Sequence, residues 1–382
     1  MKYILSILFI SILLPGIMQA QEYNKKNQYN LLIGTYTNSG KSEGIYVYSF
    51  NENTGKAKFR TVEKGVENPS YLCISENQKF VYAVNELNGE KTPGVSAFRF
   101  NAQSGNLDFI NKVNSMGADP CYISTDKEGK HVFVANYSGG NLSVFNILSD
   151  GSISEAAQTV QFNGNSINKS RQEKSHLHSA VLSPNEKQLF AADLGADKLY
   201  SFNIDENAQT EILKPSSQKE VKTIAGSGPR HFVFHPNNKY AYLVNELTAG
   251  VTVFSYHDGK LRESQQISML SADEKRNVGA ADIHISPDGK FLYTSNRGEI
   301  NELSIFSIAK DGRLTFVAHQ SSKGKAPRNF AITPKGKYLL AANQNSDEIV
   351  VFKRNKRTGL LTETGERIQV GAPVCLKFAG AK

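Results

Sequence analysis

The sequence predicts an all-β protein, a seven-bladed β-propeller closed by pairing of its N- and C-terminal strands. Three observations predict it. A unit of about 50 residues recurs along the chain, and each copy reads as short strands separated by turns. Six copies are explicit, and the two ends of the chain look like the halves of a seventh. Trp is absent, which sets the Trp-Asp repeat class aside, and no run of paired glycines suggests kelch repeats.

The first twenty residues, MKYILSILFISILLPGIMQA, stand apart. Lys2, an apolar run from Tyr3 to Leu14, then Pro-Gly and the small Ala20 follow the order of a secretory signal peptide. Met18 fits the small-x-small cleavage rule poorly, so the cut is placed only approximately. The run is short for a membrane span, and no later segment approaches the roughly 20 apolar residues a span needs. No cysteine follows the cut to carry a lipid. Residues 1–20 are therefore read as a signal peptide and 21–382 as one propeller domain. The mature protein is expected to be exported, periplasmic or secreted, and free of the membrane.

YNLLIGTYT (29–37) opens the mature chain as a second blade strand with nothing before it. The explicit units follow: NPSYLCISENQKFVYAVNE (68–86), ADPCYISTDKEGKHVFVANY (118–137), SHLHSAVLSPNEKQLFAADL (175–194), GPRHFVFHPNNKYAYLVNE (228–246), AADIHISPDGKFLYTSNR (280–297) and APRNFAITPKGKYLLAANQ (326–344). Each has an apolar strand, a turn such as Ser-Pro-Asp-Gly-Lys, and a second strand, which is the hairpin signal. A third strand follows, as in GVSAFRF, NLSVFNI and GVTVFSY. Anchored on Pro69, Pro120, Leu177, Pro229, Ala280 and Pro327, the units lie 51, 57, 52, 51 and 47 residues apart. APVCLKF (372–378) then reads as a first strand without its hairpin. Joining it to 29–37 completes the seventh blade and leaves no open sheet edge.

One residue past each anchor, and seventeen past it, lie at the end of the hairpin opposite the turn. The first set is Ser70, Cys121, His178, Arg230, Ala281, Arg328 and Val374. The second is Glu86, Tyr137, Leu194, Glu246, Arg297 and Gln344, with Tyr36 from the split blade. Both sets are expected to ring one mouth of the central channel. His178, Arg230, Glu246, Arg297, Arg328 and Glu86, scattered in sequence, then converge on one polar pocket.

Composition narrows the partners. A formal charge of +8 falls to +7 once Lys2 leaves, and the basic residues are spread along the chain rather than clustered. That argues against a nucleic-acid footprint and fits an anionic or sugar-derived small molecule. Cys73, Cys121 and Cys375 are too few and scattered for a disulfide framework and lack metal-site spacing. Gly40-Lys41-Ser42-Glu43-Gly44 matches G-x-S-x-G but sits in a loop with no helix after it. The basic loop INKSRQEKSH (167–176) is read as a surface loop that helps gather anions.

SHLHSAVLSP, ADLGADKLYSFNID, GSGPRHFVFHPNNKYAYLVNEL, SPDGKFLYTSNR and DGRLTFV resemble the lactonase family of seven-bladed propellers. That family includes bacterial 6-phosphogluconolactonases of propeller type and the fungal carboxymuconate lactonizing enzyme. The resemblance runs from IGTYT to APVCLKF. It implies that the family's active-site histidine, arginines and glutamate fall on His178, Arg230, Arg297 and Glu246, with a lactone as substrate. The fungal branch closes a ring with similar positions, so hydrolysis and lactonization both stay open. So does a third reading, a non-catalytic exported binding propeller, although a binder has no need of this polar set.

Opening a lactone needs a base for water, a stabiliser for the oxyanion and an acid for the leaving alkoxide. An ordinary histidine pKa near 6.5 suits His178 to proton transfer. Glu246 is either that base or the group that orients Arg230 and His178. Arg230 and Arg297 can hold an oxyanion or a substrate anion by paired hydrogen bonds. His176, Arg328 and Glu86 are expected to bind substrate, although His176 and His178 can exchange roles. No step in this scheme calls for a metal or cofactor.

Overall fold

The computed structural model describes residues 27–380. The expected signal peptide, residues 1–20, lies outside the described residues. Among these, the strands form seven four-stranded antiparallel sheets. Six sheets are consecutive in sequence, and the seventh runs Pro373–Gly380, Gln28–Thr35, Gly44–Asn51, Lys56–Lys64 from the channel outward. Its register, from Tyr29 opposite Gly380 to Thr35 opposite Pro373, bears out closure by the two ends. The inner strand Pro373–Gly380 packs between Pro327–Ile332 and Leu72–Ile74, which completes the ring.

Local chemistry explains the repeat. In the turn Ser286-Pro-Asp-Gly-Lys, Ser286 Oγ donates to Asp288 Oδ1 and accepts the Phe291 N–H at 3.1 Å, while Gly289 takes φ 68°. A short polar side chain that bonds its own turn, followed by a residue at positive φ, makes such a tetrapeptide close. The third strand carries a phenylalanine at one position in six blades: Phe98, Phe145, Phe202, Phe254, Phe306 and Phe352. All are buried between adjacent blades. Burying one such ring contributes about 1.5–3 kcal/mol, so the blade interfaces are the main source of cohesion.

The inner strands share one irregularity. In six of the seven blades, where the first strand meets the second at the mouth, the register slips and the inner strand carries one extra residue. In three blades the unpaired residue is Cys121, His178 or Arg328, and in the closing blade it is Val374. In the other two the slip spans Arg230 and His231, or Ala281 and Asp282. A bulge bends the strand and turns a side chain off the alternating faces of the sheet. Here it aims the mouth residues at the channel. A second deviation is the segment 162–176, the longest link between consecutive blades, which accounts for the interval of 57 residues.

Candidate active site

The mouth at which these bulges lie opens into a cavity of about 1220 Å³. Glu246 lines it. It follows the strand Tyr240–Asn245, and its N–H donates to the Gly228 carbonyl at 2.7 Å. Gly228 takes φ 68°, and a Cβ there would lie 2.6 Å from Leu247 Cγ, so the glycine of Gly-Pro-Arg-His is required on both counts. Glu246 Oε2 receives Arg230 Nη1 and, at 3.2 Å, Arg297 Nη2. Its Oε1 receives Arg171 Nη2 at 2.7 Å. His178 Nε2 lies 3.8 Å from Oε2. The two inner arginines are fixed from behind: Arg230 Nε donates to the Ala281 carbonyl at 2.7 Å and Arg297 Nε to the Gly279 carbonyl at 3.0 Å.

Three guanidiniums around one carboxylate leave the cluster with excess positive charge, and Glu246, Arg297 and His178 register it. Burial alone would raise the Glu246 pKa, but Arg230, Arg297, His178 and Arg171 together hold it well below the usual carboxylate range. Burial lowers Arg297, the nearby Arg230 lowers it further, and Glu246 only partly offsets them, leaving it at about 9. Burial, then Arg230, push His178 well below its ordinary value against the opposing pull of Glu246. The expectation of an ordinary histidine pKa for His178 is thereby corrected: its surroundings favour the neutral imidazole. Of the two roles open to Glu246, orienting and neutralising arginines fits a carboxylate whose two oxygens are already engaged by Arg171, Arg230 and Arg297.

Glu86 holds the other side of the mouth. Tyr36 Oη donates to its Oε1 at 2.8 Å, and Ser70 Oγ donates to Oε2. Arg328 Nη2 stands 3.8 Å from Oε1, and its guanidinium lies over the Tyr36 ring, 5.4 Å from the centroid. Arg328 makes no hydrogen bond among the described residues although its side chain is only 16% exposed, so its N–H groups are available to a ligand.

All six expected pocket residues, His178, Arg230, Glu246, Arg297, Arg328 and Glu86, thus line one cavity. His176 does not line it. Its ring stacks on Tyr137 and lies between the Tyr137 carbonyl and Glu173, and its backbone N–H donates to Asp193 Oδ1. That makes it a support for Tyr137 rather than a substrate ligand. Cys121 Sγ sits 3.6 Å from His178 Nδ1, but burial raises its thiol far above the range of a nucleophilic thiolate. Ser42 is hydrogen-bonded to Thr35 Oγ1 at 2.6 Å, a brace within its loop. Arg171 was missed as an individual residue. It belongs to the segment 162–176, outside the repeat, so no offset from an anchor locates it; the long interval is its one trace in the sequence.

A family model described as a lactonase, 7-bladed beta-propeller, matches residues 30–378. The chain belongs to that family. It is 37% identical over 352 residues to a 6-phosphogluconolactonase of Formosa agariphila, covering 91% of this chain and 99% of the relative. A 6-phosphogluconolactonase of Bacillus subtilis is 34% identical over 349 residues, with 91% and 97% covered. Among solved structures, a periplasmic gluconolactonase of Pseudomonas aeruginosa superposes with a TM-score of 0.89 at 37% identity, covering 93% of this lactonase-family chain and all of the other.

Proposed function

We propose that the chain is a hydrolase that opens a sugar lactone, an aldonolactone with or without a phosphate, at the mouth around Glu246. The observation that carries this reading is a histidine beside a carboxylate shared by three guanidiniums, facing an arginine that has no hydrogen-bond partner among the described residues. His178 takes a proton from water as its oxygen bonds to the lactone carbonyl carbon. The carbonyl π pair moves onto oxygen, and the guanidinium N–H groups of Arg297 and Arg328 stabilise that oxyanion. When the pair returns, the ring C–O bond breaks and the alkoxide takes the proton from His178. The product is a hydroxy acid whose carboxylate suits the positive pocket. Glu246 keeps the arginines in place and supports the transient imidazolium from 3.8 Å. Among the described residues no three His, Cys, Asp or Glu side chains converge as a ligand set, and a guanidinium-rich mouth repels a cation.

The leader-like first twenty residues and the periplasmic relative support an exported enzyme. Among the described residues no helix is long and apolar enough to cross a membrane. Purified mature protein, assayed on a panel of aldonolactones and 6-phosphogluconolactone against spontaneous opening, tests the proposal. Opening of at least one lactone well above the uncatalysed rate is expected. Opening of none would return the chain to the binding-module reading.

A further inference from the structure

Arg171 reaches the pocket by a route that no other site residue uses. At the corresponding place on its own blade the mouth residue is Leu194, fully buried and without polar chemistry. The segment 162–176 lies over it: buried Gln172 donates from Nε2 to the Leu194 carbonyl at 2.9 Å and from its N–H to the Asn168 carbonyl at 2.7 Å. Lys174 Nζ ties the same segment to the Ser138 carbonyl at 2.7 Å. Arg171, held by this framework, supplies a polar group to the one blade that lacks it. Its Nη2 bonds both Glu246 Oε1, at 2.7 Å, and Tyr137 Oη, at 3.1 Å. Its Nε and Nη1 make no hydrogen bond among the described residues.

Exposure orders the arginines around Glu246 from floor to edge: Arg230 is 2% exposed, Arg297 18% and Arg171 42%. The cavity lining holds seven lysines and arginines against four aspartates and glutamates, so an anion is favoured beyond the reacting carbonyl. A lactone whose carbonyl lies by His178 on the floor directs its exocyclic tail toward the edge. We propose that Arg171 is a specificity-determining residue that takes an anionic group, phosphate or carboxylate, on the tail of the substrate through its unused guanidinium N–H groups. This rests on the lactonase reading above.

Three aldonates that differ only at C6 test it in the full mature chain: gluconate with a hydroxyl, glucarate with a carboxylate and 6-phosphogluconate with a phosphate. Titration calorimetry needs no turnover, so a chain that opened no lactone would sink the functional reading while this inference was still judged on binding. The unsubstituted protein is expected to bind glucarate, 6-phosphogluconate or both about tenfold or more tightly than gluconate, the scale of one charge-assisted contact. Which of the two gains identifies the tail. Arg171→Gln retains a donor for Glu246 but loses the charge, and should shrink that ratio to about twofold or less; Arg171→Lys should preserve most of it. Equal binding of all three aldonates by the unsubstituted chain would overturn the proposal. So would an Arg171→Gln variant that weakens all three by one factor, because Arg171 would then be only a brace for Glu246.

Discussion

Glu246 and Glu86 hold equivalent places in two blades, yet they do different work. Each follows an asparagine at the end of a second strand, and each donates its N–H across the hairpin mouth, to Gly228 at 2.7 Å and to Asn68 at 3.1 Å. Around Glu246 the partners are guanidiniums, and among the described residues the carboxylate is the only one paired with Arg171, Arg230 and Arg297. Around Glu86 the partners are the hydroxyls of Tyr36 and Ser70, with Arg328 set back at 3.8 Å. A carboxylate held by cations is locked and weakly basic. One held by hydroxyls keeps its arginine free to meet substrate. The backbone repeats; the neighbours from adjacent blades decide the chemistry.

The sharpest way to break this comparison is to remove each charge in turn. Glu246→Gln strands the Arg230 and Arg297 guanidiniums in a buried site, and losing one partner of a buried ion pair typically costs about 3–5 kcal/mol. A clear drop in melting temperature should accompany a loss in kcat/KM of at least about 100-fold. Glu86→Gln leaves a carbonyl for Tyr36 or Ser70, so a smaller stability loss is expected, with a rise mainly in KM. Equal damage from both substitutions would mean that the two halves are not distinct.

His178→Asn should lower kcat by about 100-fold or more while leaving the melting temperature near that of the parent. In the unsubstituted enzyme, burial keeps His178 neutral well below its ordinary pKa. The rate, corrected for spontaneous opening, should therefore show no inflection near pH 6.5. A titration there would return His178 to the protonatable role first read from the sequence.

Smaller effects should separate the arginines. Arg230→Lys loses the guanidinium fork that joins Glu246 to the Ala281 carbonyl and should reduce kcat/KM by roughly tenfold, since an ammonium does not reproduce two directed bonds. Arg328→Lys should lower kcat modestly, as expected of an oxyanion donor that keeps its charge but loses its planar fork. It should leave stability nearly unchanged, because Arg328 makes no hydrogen bond among the described residues.

Acid stability offers a gentler probe of the same electrostatics. His178 and His231 have folded pKa values below the unfolded one, His231 at about 4 because burial outweighs Asp282. The unfolded chain therefore binds protons first as pH falls through 6.5, and stability begins to decline there. Glu246 and Asp282, both depressed, contribute stability that is complete above the ordinary carboxylate range and is lost as pH falls below it. Denaturant melts from pH 7 down to about 3.5 should show a shallow decline that steepens below about 4.5. In Glu246→Gln the lower limb should flatten.

Much of this molecule was legible in the sequence. The turn chemistry, the recurring third-strand phenylalanine and the split unit at the ends are local or periodic signals, and a closed ring with no free edge is the one arrangement that uses all of them. Offsets within the repeat were enough to bring His178, Arg230, Glu246, Arg297, Arg328 and Glu86 to one mouth, because equivalent positions in a propeller are equivalent in space. What the sequence by itself did not determine is the set of cross-blade relations. The extra inner-strand residue at the mouth appears only once strands are paired, since an unpaired residue is defined by its partner strand. Arg171 lies outside the repeat and meets Glu246 only through the folding back of 162–176. The protonation states of His178 and Glu246 depend on burial and on charges from several blades at once, and local sequence carries no record of either.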